Sequence, residues 1–189
     1  MAGRPKKFDQ TEALEKAMRL FWSKGFDCTG ISDLELALGM GRQSIYNTFG
    51  DKKSLYLKAF QHYGETYSKA MLGLLNEAGS AEQKIERFLS ALIKVQCEDE
   101  RSGCLLANSV SSSMQTDTES AAMVNGFLKR LHKEISKVLS EVDSDSLNCN
   151  KTAWVLVNTA QGLCILSKAG QSKSILIGIK KQILALIFN

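Results

Sequence analysis

A chain of 189 residues with 44% hydrophobic and 23% charged residues is long enough for one sizeable core, or for a small head joined to a larger body. Its formal net charge of +4 is too modest to indicate nucleic-acid binding by itself. The single proline, Pro5, favours an all-α fold, because strand-and-turn proteins usually need more proline.

Five cysteines are widely spaced, odd in number and never arranged as CxxC, which argues against a disulfide framework and a zinc site. The first residues, MAGRPKKF, lack the apolar core of a signal peptide, so we expect a protein of the reduced cytoplasm. The two histidines are isolated on predicted helices. We therefore expect neither a metal nor a cofactor.

The first eight residues carry Arg4, Lys6 and Lys7 and no acid. Such an arm could lie along DNA phosphates or enter a minor groove, and a solvated tail is an equal alternative. Asp9, with Glu12 three residues later, predicts the capped start of a first helix. Its apolar residues recur at helical spacing and a glycine ends it: Leu14, Ala17, Met18, Phe21 and Gly25.

Residues 29–53, TGISDLELALGMGRQSIYNTFGDKK, have the pattern of a helix-turn-helix. Ser32 and Glu35 predict a capping box, since the serine can accept a free N–H and the glutamate reaches back. Gly39 is expected to end this helix in a left-handed conformation, which leaves two residues for a tight turn.

The second helix, residues 42–49, is expected to bury Ile45 and Phe49 and to turn its polar residues outward. A helix this short cannot support itself, so we expect its partner to press it into a DNA groove. Arg42 and Gln43 begin this helix. Arginine can bind guanine bidentately and glutamine can bind adenine in the same way.

Further polar residues surround these two predicted readers of base edges. Ser44 is a third reader or a phosphate contact. Phosphate contacts are expected from the other polar side chains of the head: Thr29, Ser32, Tyr46, Asn47, Thr48, Lys52 and Lys53. Tyr46 could instead be a half-buried wedge that holds the short helix against the first one.

Asp51 is expected to cap a long helix that runs from Lys52 to about Asn76 and leaves no flexible linker after the head. We assign DNA binding to a domain at 1–50, and ligand binding and dimerisation to a domain at 51–189. Apolar periodicity predicts the remaining helices, and a polar stretch predicts one loop: helices at 81–98, 103–113, 120–142, 151–169 and 172–188, and a loop at 143–150.

The last two helices are apolar on nearly all sides, although neither holds the roughly 20 uninterrupted apolar residues of a membrane span. Such helices need cover on more than one side, which the body and a second subunit can supply. We predict a two-fold dimer through a four-helix interface, with a large monomeric core as the alternative. The residues assigned to this interface are Val155, Leu163, Leu166, Leu176, Ile179, Ile183 and Ile187.

These features together resemble the TetR family of transcriptional regulators. The resemblance rests on GRPKKF near the start, on the head from ALEKAMRLF to SIYNTFGDKKSLYLKAF, and on the helical body. It implies a homodimer of about nine helices per subunit that binds a palindromic operator, represses nearby genes, and releases DNA when a small molecule enters the body. Gly41 departs from the family, which more often has a capping residue there, and Thr48 stands where histidine or tyrosine is common.

Cys104, within RSGCLLANS, is the candidate sensor of oxidants or electrophiles. It lies near a predicted helix start and three residues after Arg101, and both features stabilise a thiolate. The segment resembles a GCL motif of some TetR-family members, and Lys168 could approach it. A small buried side chain at a packing junction is the alternative. Otherwise we expect an apolar inducer pocket, with these candidate lining residues: Met71, Leu105, Leu106, Phe127 and Trp154.

The sequence thus predicts a repressor that a small molecule or a thiol modification releases from DNA. The alternative is an architectural or cell-division DNA-binding protein of the same fold that has no inducer. An enzyme is not expected, because the sequence has no GxSxG, no HExxH and no phosphate-binding glycine loop.

Overall fold

The computed structural model describes residues 9–98, 104–110, 118–143 and 145–188. These residues form helices and no strand, so the all-α prediction is confirmed with a helix count close to the expected nine. The α-helical segments are α1 (Gln10–Lys24), α2 (Ile31–Leu38), α3 (Arg42–Phe49), α4 (Lys52–Tyr63), α5 (Lys69–Gly73), α6 (Ala81–Glu98), α7 (Leu105–Val110), α8 (Thr118–Leu139), α9 (Ser146–Lys168) and α10 (Lys173–Phe188). None of these helices is both long and apolar enough to cross a membrane.

The long helix predicted after the head is present. A π-helical turn (Gly64–Ser68) joins α4 to α5, and a 3₁₀ turn (Leu74–Asn76) follows α5. One helical rod therefore runs from Lys52 to Asn76. Asp51 caps it as expected, because its Oδ1 accepts the Ser54 N–H at 2.7 Å.

The head consists of α1, α2, α3 and the first turns of α4 around one apolar core. Asp9 Oδ1 accepts the N–H groups of Thr11 and Glu12, which defines the start of α1 as predicted. Since α1 packs against both α2 and α4, it supports the helix-turn-helix from behind. The largest fully buried side chains of this core come from all four helices: Met18, Phe21, Leu34, Ile45, Phe49 and Leu55.

Helix α7 lies between head and body. Leu105 belongs to the apolar core of the head, together with Cys104 just before it and Cys164 of α9. The buried Ser109 of α7 hydrogen-bonds the Tyr56 hydroxyl of α4. Head and body therefore share packing across α7 and do not meet only through α4.

The core of the body lies between α6, α8, α9 and α10. Helix α6 has the predicted bounds, and the predicted segment 103–113 lies partly outside the described residues. Helix α9 begins at Ser146, because Asp145 Oδ1 accepts the N–H groups of Leu147 and Asn148. The loop predicted at 143–150 is therefore wrong over most of its length.

The last two helices differ in part from the interface assigned to them. Leu163 and Leu176 are at most 1% exposed, so their assignment to a subunit surface is wrong. Val155 is exposed, and the other four residues are partly buried: Leu166, Ile179, Ile183 and Ile187. The periodicity shows that a helix is apolar on several sides, but it does not show which side faces the helix's own core.

Candidate DNA interface

Two apolar side chains anchor α3 in the head. Ile45 and Phe49 are both 1% exposed, and α3 packs against α2 and α4. Arg42, Gln43 and Ser44, the three predicted readers of base edges, are exposed. Ile45 and Phe49, four residues apart, therefore bury one side of α3, and the first turn of the helix remains exposed to solvent.

The turn between α2 and α3 brings a carboxylate to the start of α3. Gly39 has φ 65°, a left-handed conformation that glycine adopts readily, so the chain reverses within residues 39–41. Glu35, in the second turn of α2, accepts the Arg42 N–H through Oε1 at 2.7 Å. Glu35 thus supplies the cap that Gly41 has no side chain to make, and its charge suits the positive end of the α3 dipole.

The capping box predicted for α2 is displaced. Helix α2 begins directly after Gly30, and Asp33 Oδ2 accepts the Gly30 N–H at 2.8 Å. Asp33 also pairs with Lys24 of α1 at 2.7 Å, and this contact, then the Gly30 N–H, lowers the pKa of Asp33. The predicted pairing of Ser32 with Glu35 is therefore wrong, and Ser32 lies exposed in the first turn of α2.

The polar side chains of α3 contact one another along its exposed edge. The Arg42 guanidinium lies 5.4 Å from the centre of the Tyr46 ring, and Gln43 Nε2 donates to Asn47 Oδ1 at 3.1 Å. Tyr46 and Thr48 are half-buried, so the wedge role considered for Tyr46 is compatible with its position. These contacts restrict the long side chains before any ligand arrives, which reduces the entropy lost on binding.

The lysines that follow α3 are only partly available to phosphates. Lys52 Nζ lies 4.3 Å from the centre of the Phe26 ring, and Lys53 is half-buried and has an interaction partner. Lys58, which the sequence did not single out, donates through Nζ to the Phe49 carbonyl at 2.9 Å and so satisfies one acceptor at the end of α3.

Other head residues are placed differently from expectation. Thr29 is fully buried and donates to the Gly25 carbonyl at 2.6 Å, so it is not available to a phosphate. Leu36 on α2 is 86% exposed, an unusual position for leucine that helical periodicity could have revealed. Arg4 and Lys6 lie outside the described residues.

Cys104 is buried, which agrees with the alternative considered for it. Its Sγ lies 3.5 Å from the Tyr63 hydroxyl. A hydrogen bond with Cys104 and burial raise the pKa of the Cys164 thiol, so Cys164 is protonated at neutral pH. Arg101, the expected source of positive charge, lies outside the described residues.

The candidate pocket residues divide into two groups. Met71, Phe127 and Cys104 line one small cavity of about 40 Å³, where Ser68 Oγ is buried without a hydrogen-bond partner among the described residues. Trp154 lies elsewhere: it is 43% exposed and stacks on His132 with ring centres 4.4 Å apart, so its assignment to the pocket is wrong.

Three further candidates lie nearer the head. Leu105 and Leu106, also assigned to the pocket, pack in the core of the head. Lys168 and Cys104 line the same open cavity of about 450 Å³ at the junction of head and body. The expected approach of Lys168 to the segment around Cys104 is therefore present.

Residues 13–59 match the family model of bacterial regulatory proteins, tetR family. This stretch runs from α1 into α4 and contains the whole helix-turn-helix. The DNA-binding head is similar to that of the TetR family. The resemblance seen in the sequence is thus confirmed, and the matched family comprises regulators, in agreement with the expectation that the chain is not an enzyme.

Two relatives with similar sequences extend the match beyond the head. YezE of Bacillus subtilis (strain 168), an uncharacterized HTH-type transcriptional regulator, is 32% identical over 120 residues, 63% of this chain and 62% of YezE. ComR of Escherichia coli (strain K12), an HTH-type transcriptional repressor, is 31% identical over 112 residues, 58% of this chain and 53% of ComR. The chain therefore spans less than two thirds of either relative's length.

Solved structures resemble the fold over nearly the whole chain. CifR, a TetR family transcriptional regulator whose cysteine mutant was solved in complex with 26-bp double-strand operator DNA, has a TM-score of 0.85 at 21% identity, covering 97% of this chain and 98% of CifR. A TetR transcriptional regulator from Legionella pneumophila has a TM-score of 0.82 at 18% identity, covering 93% and 95%. At these identities the likeness shows the TetR fold alone.

Proposed function

We propose that this chain is a cytoplasmic, homodimeric repressor that binds a palindromic DNA operator and is released from it by a small molecule or by thiol modification. Residues 1–50 form its DNA-binding domain and residues 51–189 its ligand-binding and dimerisation domain. The observation that carries the proposal is the first turn of α3, which is capped by Glu35, anchored by Ile45 and exposes three polar side chains together.

The proposed division of labour follows the geometry of α3. Arg42, Gln43 and Ser44 occupy the end of the helix that enters a major groove, where a good bidentate contact discriminates bases by about 1–3 kcal/mol. Phosphates are bound by the residues around this end: Ser32, Tyr46, Asn47, Thr48, Lys52 and Lys53, together with Arg4 and Lys6 of the N-terminal arm.

The proposed dimer uses the exposed apolar side chains of α9 and α10. Val155 is exposed on α9, and Ile175 is exposed on α10. Trp154 beside Val155 adds a large aromatic surface of the kind enriched in interfaces. Two-fold pairing presents two copies of α3 to half-sites about one helical turn of DNA apart.

The proposed release involves the interior of the body. The small cavity beside Met71 and Phe127 also contacts Cys104, so an apolar inducer that enlarges this cavity, or a modification of the thiol, would alter packing at α7, between body and head. Two similar proteins support this type of function. CifR was solved in complex with operator DNA, and ComR is a transcriptional repressor.

Fluorescence anisotropy with fragments from the region upstream of the chain's own gene tests the DNA-binding proposal. We expect one palindromic fragment to bind at least a hundredfold more tightly than a scrambled duplex of equal length, with affinity falling as salt rises. Equal affinity for both duplexes would replace the operator model with the architectural one. No binding to any fragment at low salt would refute both.

A further inference from the structure

An open cavity lies where the loop after α1 meets α7 and the end of α9. It has a volume of about 450 Å³, within the range of small-molecule sites. Phe26 and Ile165 contribute apolar surface, and Lys168 contributes a cationic group. This cavity adjoins the smaller one beside Met71 and Phe127, since Cys104 and Cys164 line both, but only the larger cavity includes the loop after α1.

The charges around the cavity favour an anion near Lys168. The lining contains two lysines, Lys24 and Lys168, and one carboxylate, Asp27, which already interacts with another group. Lys24 forms an ion pair with Asp33 at 2.7 Å. Lys168 forms no ion pair among the described residues, and its Nζ donates to the neutral amide oxygen of Asn108 at 2.6 Å. Its charge is therefore the one that a bound carboxylate would neutralise.

A short polar relay connects this lysine to the head. The same Asn108 side chain that accepts from Lys168 donates through Nδ2 to the Trp22 carbonyl of α1 at 2.9 Å. Asn108 thus joins α9 to the helix that supports the helix-turn-helix. An anion bound to Lys168 competes with Asn108 Oδ1 for the ammonium group and so weakens the link from α9 to α1.

We propose that this junction cavity is an effector site for a small aromatic or otherwise apolar carboxylate. The carboxylate binds Lys168, and the apolar part lies against Phe26 and Ile165. Its occupancy changes the position of α1 relative to the body through Asn108. The proposed binding site does not depend on the function proposed above, whereas its effect on DNA binding rests on that function.

Isothermal titration calorimetry of the full chain with 2-naphthoate, without DNA, tests the site. We expect 2-naphthamide, which has the same shape but no charge, to bind at least tenfold more weakly. Lys168→Gln should lose at least tenfold in 2-naphthoate affinity. Lys151→Gln, which changes an exposed lysine at the other end of α9, should stay within twofold of the wild type. Equal binding of acid and amide, or equal loss in both variants, overturns the proposal.

Thiol labelling of the wild-type protein tests, without any substitution, whether 2-naphthoate binds in this cavity. Cys28 lines the cavity and is exposed, whereas Cys97 is exposed on α6 and does not line it. Saturating 2-naphthoate should slow the alkylation of Cys28 by iodoacetamide several-fold and leave that of Cys97 unchanged. Equal protection of both thiols, or of neither, overturns the assignment to this cavity.

Operator affinity measured with and without 2-naphthoate tests the coupling. We expect at least fivefold weaker operator binding by the wild type at saturation, and no change for Lys168→Gln. A probe that protects Cys28 yet leaves operator affinity unchanged refutes the coupling. A chain that binds the probe at this site but binds no DNA refutes the proposed function and the coupling, and leaves the effector site standing.

Discussion

Glu35 is a residue of α2 that caps the start of α3. Its carboxylate accepts the Arg42 N–H across the turn, so it stabilises the short helix from outside. We predict that Glu35→Ala lowers the free energy of unfolding by about 0.5–2 kcal/mol, the usual cost of a lost N-cap. It should also weaken operator binding, because the first turn of α3 would fray.

Chemical denaturation and anisotropy on the same preparations check this prediction. Glu35→Gln is the matched variant, because its amide oxygen can still accept the Arg42 N–H. It should retain most of the stability and DNA affinity. Equal losses in both variants would show that the charge of Glu35, and not its hydrogen bond, is what matters.

The proposed division between base reading and phosphate binding can be tested at Arg42 and Lys52. Arg42 is exposed at the start of α3, whereas Lys52 is half-buried at the start of α4 with its ammonium over the Phe26 ring. We predict that Arg42→Ala reduces the preference for one base pair of the operator by about 1–3 kcal/mol. Lys52→Ala should weaken all sequences alike and flatten the dependence of affinity on salt.

Anisotropy titrations against operators changed one base pair at a time measure the first effect, and titrations between 50 and about 200 mM salt measure the second. If both variants relax specificity at the same position, the division between reader and phosphate contact is wrong.

Much of the exposure pattern in the head followed from the sequence, because the spacing of Ile45 and Phe49 determines which side of α3 is buried. The capping partners did not follow. Glu35 reaches the N–H of Arg42 only because the turn at Gly39 brings the two helices together, and that geometry depends on several backbone angles. The capping box of α2 is displaced for another reason: the helix begins directly after Gly30, which places Asp33, and not Glu35, three residues after the N-cap.

At the scale of a helix, the Asp51 carboxylate makes the stability of the long helical rod depend on pH. The backbone N–H of Ser54, and then its side chain, lower the pKa of Asp51 below its ordinary value of about 3.9. The unfolded chain therefore takes up a proton at higher pH than the folded one. The stabilisation is complete above about pH 5 and is lost as the pH falls through the lowered pKa.

We predict that Asp51→Asn leaves the stability at pH 7 nearly unchanged, because asparagine is a comparable cap. Its free energy of unfolding should decline less steeply than that of the wild type between about pH 5 and pH 3. Urea denaturation at several pH values measures both slopes. Parallel slopes would show that Asp51 does not contribute to the acid sensitivity.

Helix bounds were predictable where apolar periodicity coincided with a clear cap, as at Asp9, Asp51 and α6. The start of α9 was not, because its first turn is polar and was assigned to the preceding loop. Which side of α9 and α10 faces the body was also beyond the sequence: Leu163 and Val155 look alike in the pattern, yet one is buried and the other exposed.

At the scale of the whole molecule, α7 joins the two parts of the chain. Its contacts reach α1 through Asn108, α4 through Ser109 and α9 through Lys168, across sequence separations of 86, 53 and 60 residues. Periodicity within a window of a dozen residues contains no information about such contacts. The junction cavity, which depends on them, could therefore not be foreseen, although Lys168 and Cys104 had been singled out separately.

The proposed dimer is the remaining feature of the whole molecule that can be tested with single substitutions. Val155 and Ile175 are 47% and 46% exposed on α9 and α10, and a stable interface of typical size must bury about 1,200–2,000 Å² of mostly such surface. A glutamate there would place an unpaired charge inside the interface. We predict that Val155→Glu and Ile175→Glu convert the dimer to monomer at micromolar concentration while keeping the helical content.

Light scattering coupled to gel filtration measures the mass, and anisotropy measures the consequence for DNA. A monomer presents one α3, so palindromic operator affinity should fall by at least a hundredfold, whereas binding to a single half-site should change little. Val142→Glu is the matched control, since Val142 is 63% exposed in the turn after α8, and it should remain dimeric. If it dissociates as well, or if all three variants stay dimeric, the two-fold interface lies on another face of the body.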